Sequence, residues 1–246
     1  MSIHLIMQLL AVAGEAKDAD EVSRQLEGLL DAYGFGFYRL VLQPRVRDAG
    51  KEVVLAHRWP GGWAETYRLR KFGSVDPAAK MLTVAQRPYR LREAAFALRN
   101  YPHRTRMQRM IQEAARHGMT DGYVFPVHGR TGLIGSLLVS GKPVDLSPSE
   151  VALFDAAARR VLWRHLEFRG WAAELETIDA IETPLTRREV EVVSHLAEGL
   201  TSIEIARELD ISNHTVDWYI NALQDKMKAK NRQHVVAIAL RRGLVS

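Results

Sequence analysis

The chain has 246 residues, of which 47% are hydrophobic and 26% charged, a composition that excludes whole-chain disorder and fibrous architectures. It contains no cysteine, which excludes disulfides, thiolate metal sites and cysteine nucleophiles. The 34 basic residues exceed the 29 acidic ones, and the resulting net charge of +5 permits nucleic-acid binding without establishing it.

The first residues resemble a targeting segment only loosely. Residues 3–13 form an apolar stretch, but no Lys or Arg precedes it and no sign of an oxidising compartment follows it, which favours a buried or half-buried first helix over a secretion signal. No run of 18 apolar residues occurs, so the sequence predicts no membrane-spanning helix. We therefore expect a cytoplasmic protein with no membrane partner.

Residues 1–168 show helical and strand patterns in mixed order. The periodicity predicts helices over 20–33, 62–71, 77–85, 104–117 and 149–168, and strands over 37–42, 53–57, 123–127 and 133–140, with a hairpin-type connection at 128–132. Because helices and strands do not alternate strictly, an antiparallel sheet flanked by helices is favoured. This part is predicted to be an α/β/α sandwich.

The rest of the chain is predicted to be a linker and a second domain. Residues 169–183 carry little apolar periodicity and end at Thr183-Pro184, which indicates a linker. Residues 184–246 have helical patterns only. The whole chain is therefore assigned to the α+β class, with an all-α C-terminal domain of four helices.

Basic residues are concentrated in one stretch of the first domain. Residues 39–116 contain 17 basic and 6 acidic residues. This excess fits a solvated surface. It also fits a patch that meets DNA, an acidic protein or an anionic ligand.

Start and stop signals divide the C-terminal domain into four short helices. Thr186 and Glu189 form a capping box, and a tight turn separates the second and third helices, as in a helix-turn-helix. The remaining signals are Gly199 as a stop, Ser202, Ser212 and Asn231 as starts, and Gly243 as the final stop.

The third of these helices has two distinct faces. Its apolar residues Val216, Ile220, Leu223 and Met227 are spaced 4, 3 and 4, which predicts a core stripe and leaves the opposite face for the major groove of DNA. A bundle that contacts only proteins would show the same pattern. The candidate DNA-binding residues are Ser212, Asn213, His214, Thr215, Asp217, Trp218, Asn221, Lys226 and Lys228.

The C-terminal segment resembles the LuxR/GerE helix-turn-helix in order and without gaps. The matching motifs are Leu185-Thr186-Arg187-Arg188-Glu189, Glu204-Ile205-Ala206, Ile211-Ser212, Thr215-Val216 and Gly243-Leu244-Val245. One departure is Tyr219, where this family usually has His. The resemblance implies binding to double-stranded DNA, with positions 217 and 221 at base edges.

The N-terminal domain resembles the autoinducer-binding domain of LuxR-type quorum-sensing receptors. The motifs are Trp63-Ala-Glu-Thr-Tyr67, Phe72 and Asp76-Pro77, followed in order by Gly118, Gly122, Pro126 and Gly132. The resemblance implies an N-acyl-homoserine lactone as ligand. Trp63 would then donate to the lactone carbonyl, Tyr67 would donate to the amide carbonyl and Asp76 would accept from the amide N–H, while Trp59 and Phe72 would form apolar wall.

Each of these residues also has a structural explanation. Trp63 and Tyr67 lie one helical turn apart and could be core, and Asp76-Pro77 is a strong helix start by itself. Leu91 and Leu138 stand where the family commonly has Trp and a hydroxyl residue. These departures point to a less usual acyl group or to another ligand.

The sequence thus predicts a ligand-responsive transcriptional regulator of quorum sensing that acts as a homodimer. We expect no cofactor, no metal and no catalytic residue. The phosphate-binding, nucleophile-elbow and zinc-protease motifs are missing from the sequence, as is the early acidic pair of a phosphorylated receiver domain. Two alternatives remain: a solo regulator that senses another metabolite, and a ligand-independent form that acts by protein contact.

Overall fold

The computed structural model describes residues 3–43, 52–129, 132–176 and 184–245. The chain divides into two compact units, of which the first extends to Leu175 and the second takes up the chain from Glu176 onward. The helices of the first unit are α1 (Ile3–Val12), α2 (Ala19–Tyr33), α3 (Trp63–Leu69), α4 (Pro77–Leu82), α5 (Leu91–Ala97), α6 (Arg104–Arg116), α7 (Pro148–Phe168) and α8 (Ala172–Glu176). Its strands are β1 (Phe37–Leu42), β2 (Val53–Arg58), β3 (Tyr89–Arg90), β4 (Asp121–Gly129) and β5 (Gly132–Gly141).

The strands form one sheet in the order β2-β1-β5-β4-β3. Strand β1 pairs antiparallel with both β2 and β5, and β3 pairs antiparallel with β4. The four predicted strands are confirmed. The sequence patterns did not reveal β3 or α5, because a two-residue strand shows no alternation and α5 has only seven residues.

The sheet separates two apolar regions. Alternate residues of a strand point to opposite faces, so Tyr38 and Leu40 of β1 lie on one face with Leu137 of β5, in the large core built with α1, α2 and α7. Helices α3 to α6 contribute to two smaller clusters, around Trp63 and around Tyr89. The predicted α/β/α sandwich with an antiparallel sheet is confirmed.

The long helix α7 begins where the sequence predicts. The Ser147 hydroxyl accepts from the Glu150 amide, while the Glu150 carboxylate accepts from the Ser147 amide at 2.8 Å and from the buried Tyr33 hydroxyl at 3.0 Å. After it, the predicted linker 169–183 contains helix α8. Residues 177–183 and 130–131 lie outside the described residues, so the end of the linker and the tip of the β4–β5 connection are not described.

Several cations of the basic stretch 39–116 are used inside the first unit. Arg90 forms a buried ion pair with Asp121, with 2.8 Å between Nε and Oδ2. Arg58 pairs with Asp31 at 2.7 Å. Some of the basic residues in this stretch therefore stabilise the fold through ion pairs. None of the helices in the described parts of the chain combines the length and hydropathy needed to cross a membrane.

The second unit contains the four predicted helices: α9 (Arg187–Ala197), α10 (Ser202–Leu209), α11 (Asn213–Met227) and α12 (Arg232–Arg241). Their capping residues are Thr186, Thr201, Ser212 and Asn231, each with a side chain that accepts from a backbone amide of the first turn.

The turn between α10 and α11 is short because the backbone reverses at a single residue. Asp210 adopts φ 53°, in the left-handed region, and the Ile211 amide then donates to the Ala206 carbonyl at 3.0 Å. The predicted stripe Val216, Ile220, Leu223 and Met227 is buried in the core of this unit. The helix-turn-helix geometry is therefore confirmed.

Lys226, one of the candidate DNA-binding residues, forms an ion pair inside the second unit. Its ammonium donates to the Glu189 carboxylate at 2.8 Å, and the two side chains are 23% and 4% exposed. Burial opposes the ionised form of Glu189, but hydrogen bonds from Lys226 and Thr186 outweigh it and lower the pKa of Glu189 below the ordinary value of 4.5. Lys226 thus joins α11 to α9.

Replacing this cation should destabilise the second unit. We expect Lys226→Met to lower the free energy of unfolding by about 2 kcal/mol at pH 7, because it leaves a buried carboxylate without its partner. Since the pKa of Glu189 is lowered in the folded state, the difference should be present above pH 4.5 and shrink as the pH falls through the folded-state pKa. Urea unfolding at pH 7 and pH 4 would measure it.

The exposed Lys230 gives a matched control. Lys230→Met should change the free energy of unfolding by less than about 0.5 kcal/mol at either pH. Equal stability of the Lys226 variant and the wild type at pH 7 would show that the pair does not hold the helices together.

Candidate functional site

A cavity of about 240 Å³ lies between the sheet and helices α3 to α6. Its wall is mostly apolar, with a few polar groups that converge on it. The lining residues are Trp59, Trp63, Tyr67, Asp76, Pro77, Ala78, Leu91, Arg92, Ala95, Met110, Ile111, Ala114, Met119, Thr120, Leu138 and Ser140. We call it the first cavity.

The indole of Trp63 is held at the wall of the first cavity by aromatic neighbours. Gly62, with φ 77° in the left-handed region that favours glycine, precedes α3 and makes Trp63 its first residue. The centroid of its ring lies 5.7 Å from the ring centroid of Tyr67 and 6.2 Å from that of Phe72. Its N–H has no hydrogen-bond partner within the described ranges, although Trp63 is buried. A donor at the wall of a cavity is suited to a ligand acceptor.

Asp76 performs two tasks with its two carboxylate oxygens. Oδ1 accepts from the Ala78 amide at 2.8 Å and caps α4, whose first residue is Pro77. Oδ2 accepts from the Tyr67 hydroxyl at 2.8 Å. Burial raises the pKa of Asp76 above its ordinary value, while the hydrogen bonds from Tyr67 and the backbone amides act in the opposite direction.

Tyr67 and Asp76 form a hydrogen-bonding pair in the wall of the first cavity. Burial and the neighbouring Asp76 carboxylate raise the pKa of Tyr67, so its hydroxyl stays protonated. The cavity therefore offers the indole N–H of Trp63, the hydroxyl of Tyr67 and the carboxylate of Asp76, amid apolar walls. This set can bind a neutral molecule with carbonyl acceptors and one N–H donor.

The expected wall residues lie mostly as predicted. Trp59, Leu91 and Leu138 line the first cavity. Phe72 differs from the prediction. It is not among the residues that line the first cavity, and its ring packs against the rings of Trp63 and Tyr67. Phe72 begins a 3-10 turn, Phe72–Ser74, and its side chain is buried in the apolar cluster around Trp63. It therefore supports the wall of the cavity without lining it.

Sequence reasoning missed the contribution of helix α6. Met110, Ile111 and Ala114 line the first cavity, and with Met107 they form a stripe spaced 3, 1 and 3. That spacing indicates an apolar helix face, but it does not distinguish a face that packs into a core from one that lines a cavity.

A second cavity, of about 270 Å³, adjoins the first. The two share Tyr67, Asp76, Ala78 and Leu138 in their walls. The remaining lining residues of the second cavity are Arg39, Val41, Glu52, Gly73, Ala79, Leu82, Val124 and Ser136. Sequence analysis had named none of these eight.

In the second unit, helix α11 presents a polar face on the side opposite its core stripe. Asp217, Trp218 and Asn221 are exposed there, and Trp218 is 63% exposed. The Ser202 hydroxyl donates to Asp217 at 2.7 Å, which orients that carboxylate. The Asn221 carbonyl oxygen accepts from Gln224 at 3.2 Å and its amide group stays available.

The ends of α11 carry the other candidate DNA-binding residues. The Ser212 hydroxyl accepts from the Thr215 amide at 3.1 Å, so these two residues form the helix cap. Asn213 and His214 are exposed in the first turn. Lys228, also exposed, ends the helix with φ 52°. All of them except Lys226 thus flank or occupy the exposed face.

Two family models match the chain, one for each unit. Residues 18–165 match the autoinducer binding domain, and residues 183–239 match the bacterial regulatory proteins of the luxR family. Among curated proteins, the transcriptional activator protein BjaR1 of Bradyrhizobium diazoefficiens is 28% identical over 92% of this chain and 91% of its own length. The quorum sensing-dependent regulator RpaR of Rhodopseudomonas palustris is 29% identical over 94% and 91%.

A solved structure shows the same fold over both units. Escherichia coli SdiA has a TM-score of 0.55 and 22% identity, with 97% of each chain covered. The curated relatives are regulators of transcription, not enzymes. The chain therefore belongs to the LuxR-type family of transcriptional regulators, with an autoinducer-binding domain followed by a DNA-binding helix-turn-helix.

Proposed function

We propose that this regulator binds an N-acyl-homoserine lactone in its first unit and, as a homodimer, operator DNA through its second. The observation that carries the proposal is that Trp63, whose indole N–H makes no hydrogen bond in the described part of the chain, shares a cavity with the Tyr67–Asp76 pair. RpaR is by name a quorum sensing-dependent regulator, which supports the same assignment.

The ligand's polar atoms match the polar groups of the first cavity. In the proposed pose the lactone carbonyl accepts from Trp63, and the ligand N–H donates to Oδ2 of Asp76. The Tyr67 hydroxyl then turns from Asp76 to the amide carbonyl. A hydroxyl proton can rotate between acceptors, so this exchange requires no backbone movement. Both carbonyl oxygens and the N–H of the ligand head are thereby paired, which a buried site requires of its strong hydrogen-bonding groups.

A second ligand class is an acyl compound without a lactone. A solved structure of SdiA, with a TM-score of 0.54 to this chain, holds octanoyl-rac-glycerol. In the present chain, Leu138 places an apolar side chain in both cavities where the family commonly has a hydroxyl. Competition between octanoyl-homoserine lactone and octanoylglycerol for the purified protein would separate the two ligand classes.

The DNA-binding role rests on the exposed face of α11. A recognition helix that reads a two-fold symmetric operator needs a two-fold partner, which is why we propose a homodimer. Among the described residues, Leu240 of α12 and Phe168 of α7 are large apolar side chains exposed in the single chain. Because a bacterial regulator meets its DNA in the cytoplasm, we propose that location.

The proposed role of Trp63 leads to a test on the ligand head. Trp63→Phe should weaken binding of octanoyl-homoserine lactone by about 1 kcal/mol, because it removes one hydrogen-bond donor but keeps an aromatic ring. Calorimetry on the full-length protein would measure the change.

A ligand analogue supplies the control for Trp63. In N-octanoyl-3-aminotetrahydrofuran the lactone carbonyl is missing, so the wild type and Trp63→Phe should bind it with equal affinity. If both ligands lost affinity alike, the effect would come from packing and Trp63 would not bind the lactone carbonyl.

Asp76 is expected to act on the ligand amide separately from its capping role. Asp76→Asn should weaken lactone binding by about 1–3 kcal/mol, since it replaces a charged acceptor by a neutral amide. Asn is also a good capping residue, so the free energy of unfolding should change little, whereas Asp76→Ala should lose both binding and about 1 kcal/mol of stability. Calorimetry and urea unfolding would measure the two effects, and unchanged lactone affinity in Asp76→Asn would leave Asp76 as a cap only.

Base recognition is expected at Asn221. Its side chain can pair with the two major-groove atoms of adenine, so Asn221→Ala should cost about 1–3 kcal/mol per half-site and relax the preference at one base pair. Selection of binding sites from random DNA should return two-fold symmetric sequences for the wild type. Gln233→Ala, on the exposed surface of α12, is the control and should keep the wild-type preference. Full retention of the preference by Asn221→Ala would place the recognition face elsewhere.

A further inference from the structure

The second cavity differs from the first in the chemistry of its wall. Arg39 and Glu52 form an ion pair there, and Ser136 adds a hydroxyl. The other residues that belong to this wall alone have no polar side-chain group. This end of the cavity is therefore polar, and a purely hydrocarbon chain placed there would make no hydrogen bond to it.

The sheet places two of these polar groups, Arg39 and Ser136, on its cavity face. Arg39 of β1 lies opposite Leu138 of β5, and Val41 lies opposite Ser136. Residues two apart in a strand share a face, and so do residues directly opposite each other on paired strands. Strand register thus places Arg39 and Ser136 on this face, while Glu52 directly precedes β2.

The polar groups have unused hydrogen-bonding capacity. A guanidinium carries five N–H donors and a carboxylate has about four acceptor sites, so one mutual contact leaves most of this capacity open. The two side chains are 27% and 35% exposed. Ser136 is 4% exposed, and its hydroxyl has no partner among the residues that the structure describes.

The shared wall determines which part of a ligand reaches the second cavity. Trp63 lines the first cavity and is not in the wall of the second, whereas Tyr67 and Asp76 line both. In the proposed pose the lactone lies at Trp63 and its amide lies at the shared residues Tyr67 and Asp76, and we place the acyl chain beyond them, in the second cavity.

We propose that the second cavity selects an acyl group carrying a hydroxyl group at its far end, an inference that rests on the proposed lactone function. A carboxylate at that place would be repelled by Glu52, and an ammonium would be repelled by Arg39. A hydroxyl is neutral, can accept from Arg39 and donate to Glu52, and can exchange hydrogen bonds with Ser136. It satisfies both members of the ion pair at once.

Matched ligand pairs test the proposal on the full-length protein. Calorimetry would compare hexanoyl- with 6-hydroxyhexanoyl-homoserine lactone, and octanoyl- with 8-hydroxyoctanoyl-homoserine lactone. For at least one chain length we expect the hydroxylated ligand to bind about tenfold more tightly, the change that one net hydrogen bond produces. Equal or weaker binding of the hydroxylated ligand in both pairs would overturn the proposal.

Variants assign the preference to the second cavity. Arg39→Met/Glu52→Met should abolish it, and Ser136→Ala should reduce it about threefold. The double variant Arg187→Met/Glu191→Met, which removes an exposed ion pair in the second unit, should keep the wild-type preference. Ser136→Ala decides the matter if the first double variant fails to fold.

The outcomes separate this inference from the proposed function. A hydroxyl preference that survives in both Ser136→Ala and Arg39→Met/Glu52→Met would contradict the role of the second cavity. If plain and hydroxylated lactones bound equally well, the proposed hydroxyl selectivity of the second cavity would be wrong, but the proposed lactone function would stand. If no lactone bound at all, the proposed function would be wrong and the subsite with it.

Discussion

The carboxylate of Asp76 is the group on which the ligand-binding half of the molecule depends. One oxygen caps α4, and the other accepts from Tyr67 of α3, so a single side chain ties two helices together where the two cavities meet. Burial makes such a charge costly, and three hydrogen bonds offset part of that cost. A capping residue that also faces a cavity can bind a ligand without losing its structural role.

The sheet extends this division of roles across the first unit. One face carries Leu40 and Leu137 into the large core, and the other presents Arg39, Ser136 and Leu138 to the second cavity. Because strand side chains alternate, each strand supplies both a core and a binding surface. Substitutions on the cavity face can therefore change which ligand is bound, with little effect on the packing of the large core.

Polar residues of the second unit are likewise divided between holding helices together and facing outward. Lys226 and Glu189 join α11 to α9, and Ser202 orients Asp217 from α10. Trp218 projects from the same face as Asp217 with most of its surface exposed. A rigidly held recognition helix fits DNA at lower entropic cost, which is the physical benefit of these internal contacts.

Local patterns in the sequence determined the helix starts, the four longer strands and the core stripe of α11, because caps and apolar periodicity act within a few residues. The family motifs likewise pointed to Trp63, Tyr67 and Asp76. Tertiary structure alone decided that Lys226 pairs with Glu189, since those residues meet only when α9 and α11 pack. It also decided the second cavity, which brings Arg39 and Ser136 of two paired strands together with Glu52, a relation that spacing along the chain does not encode.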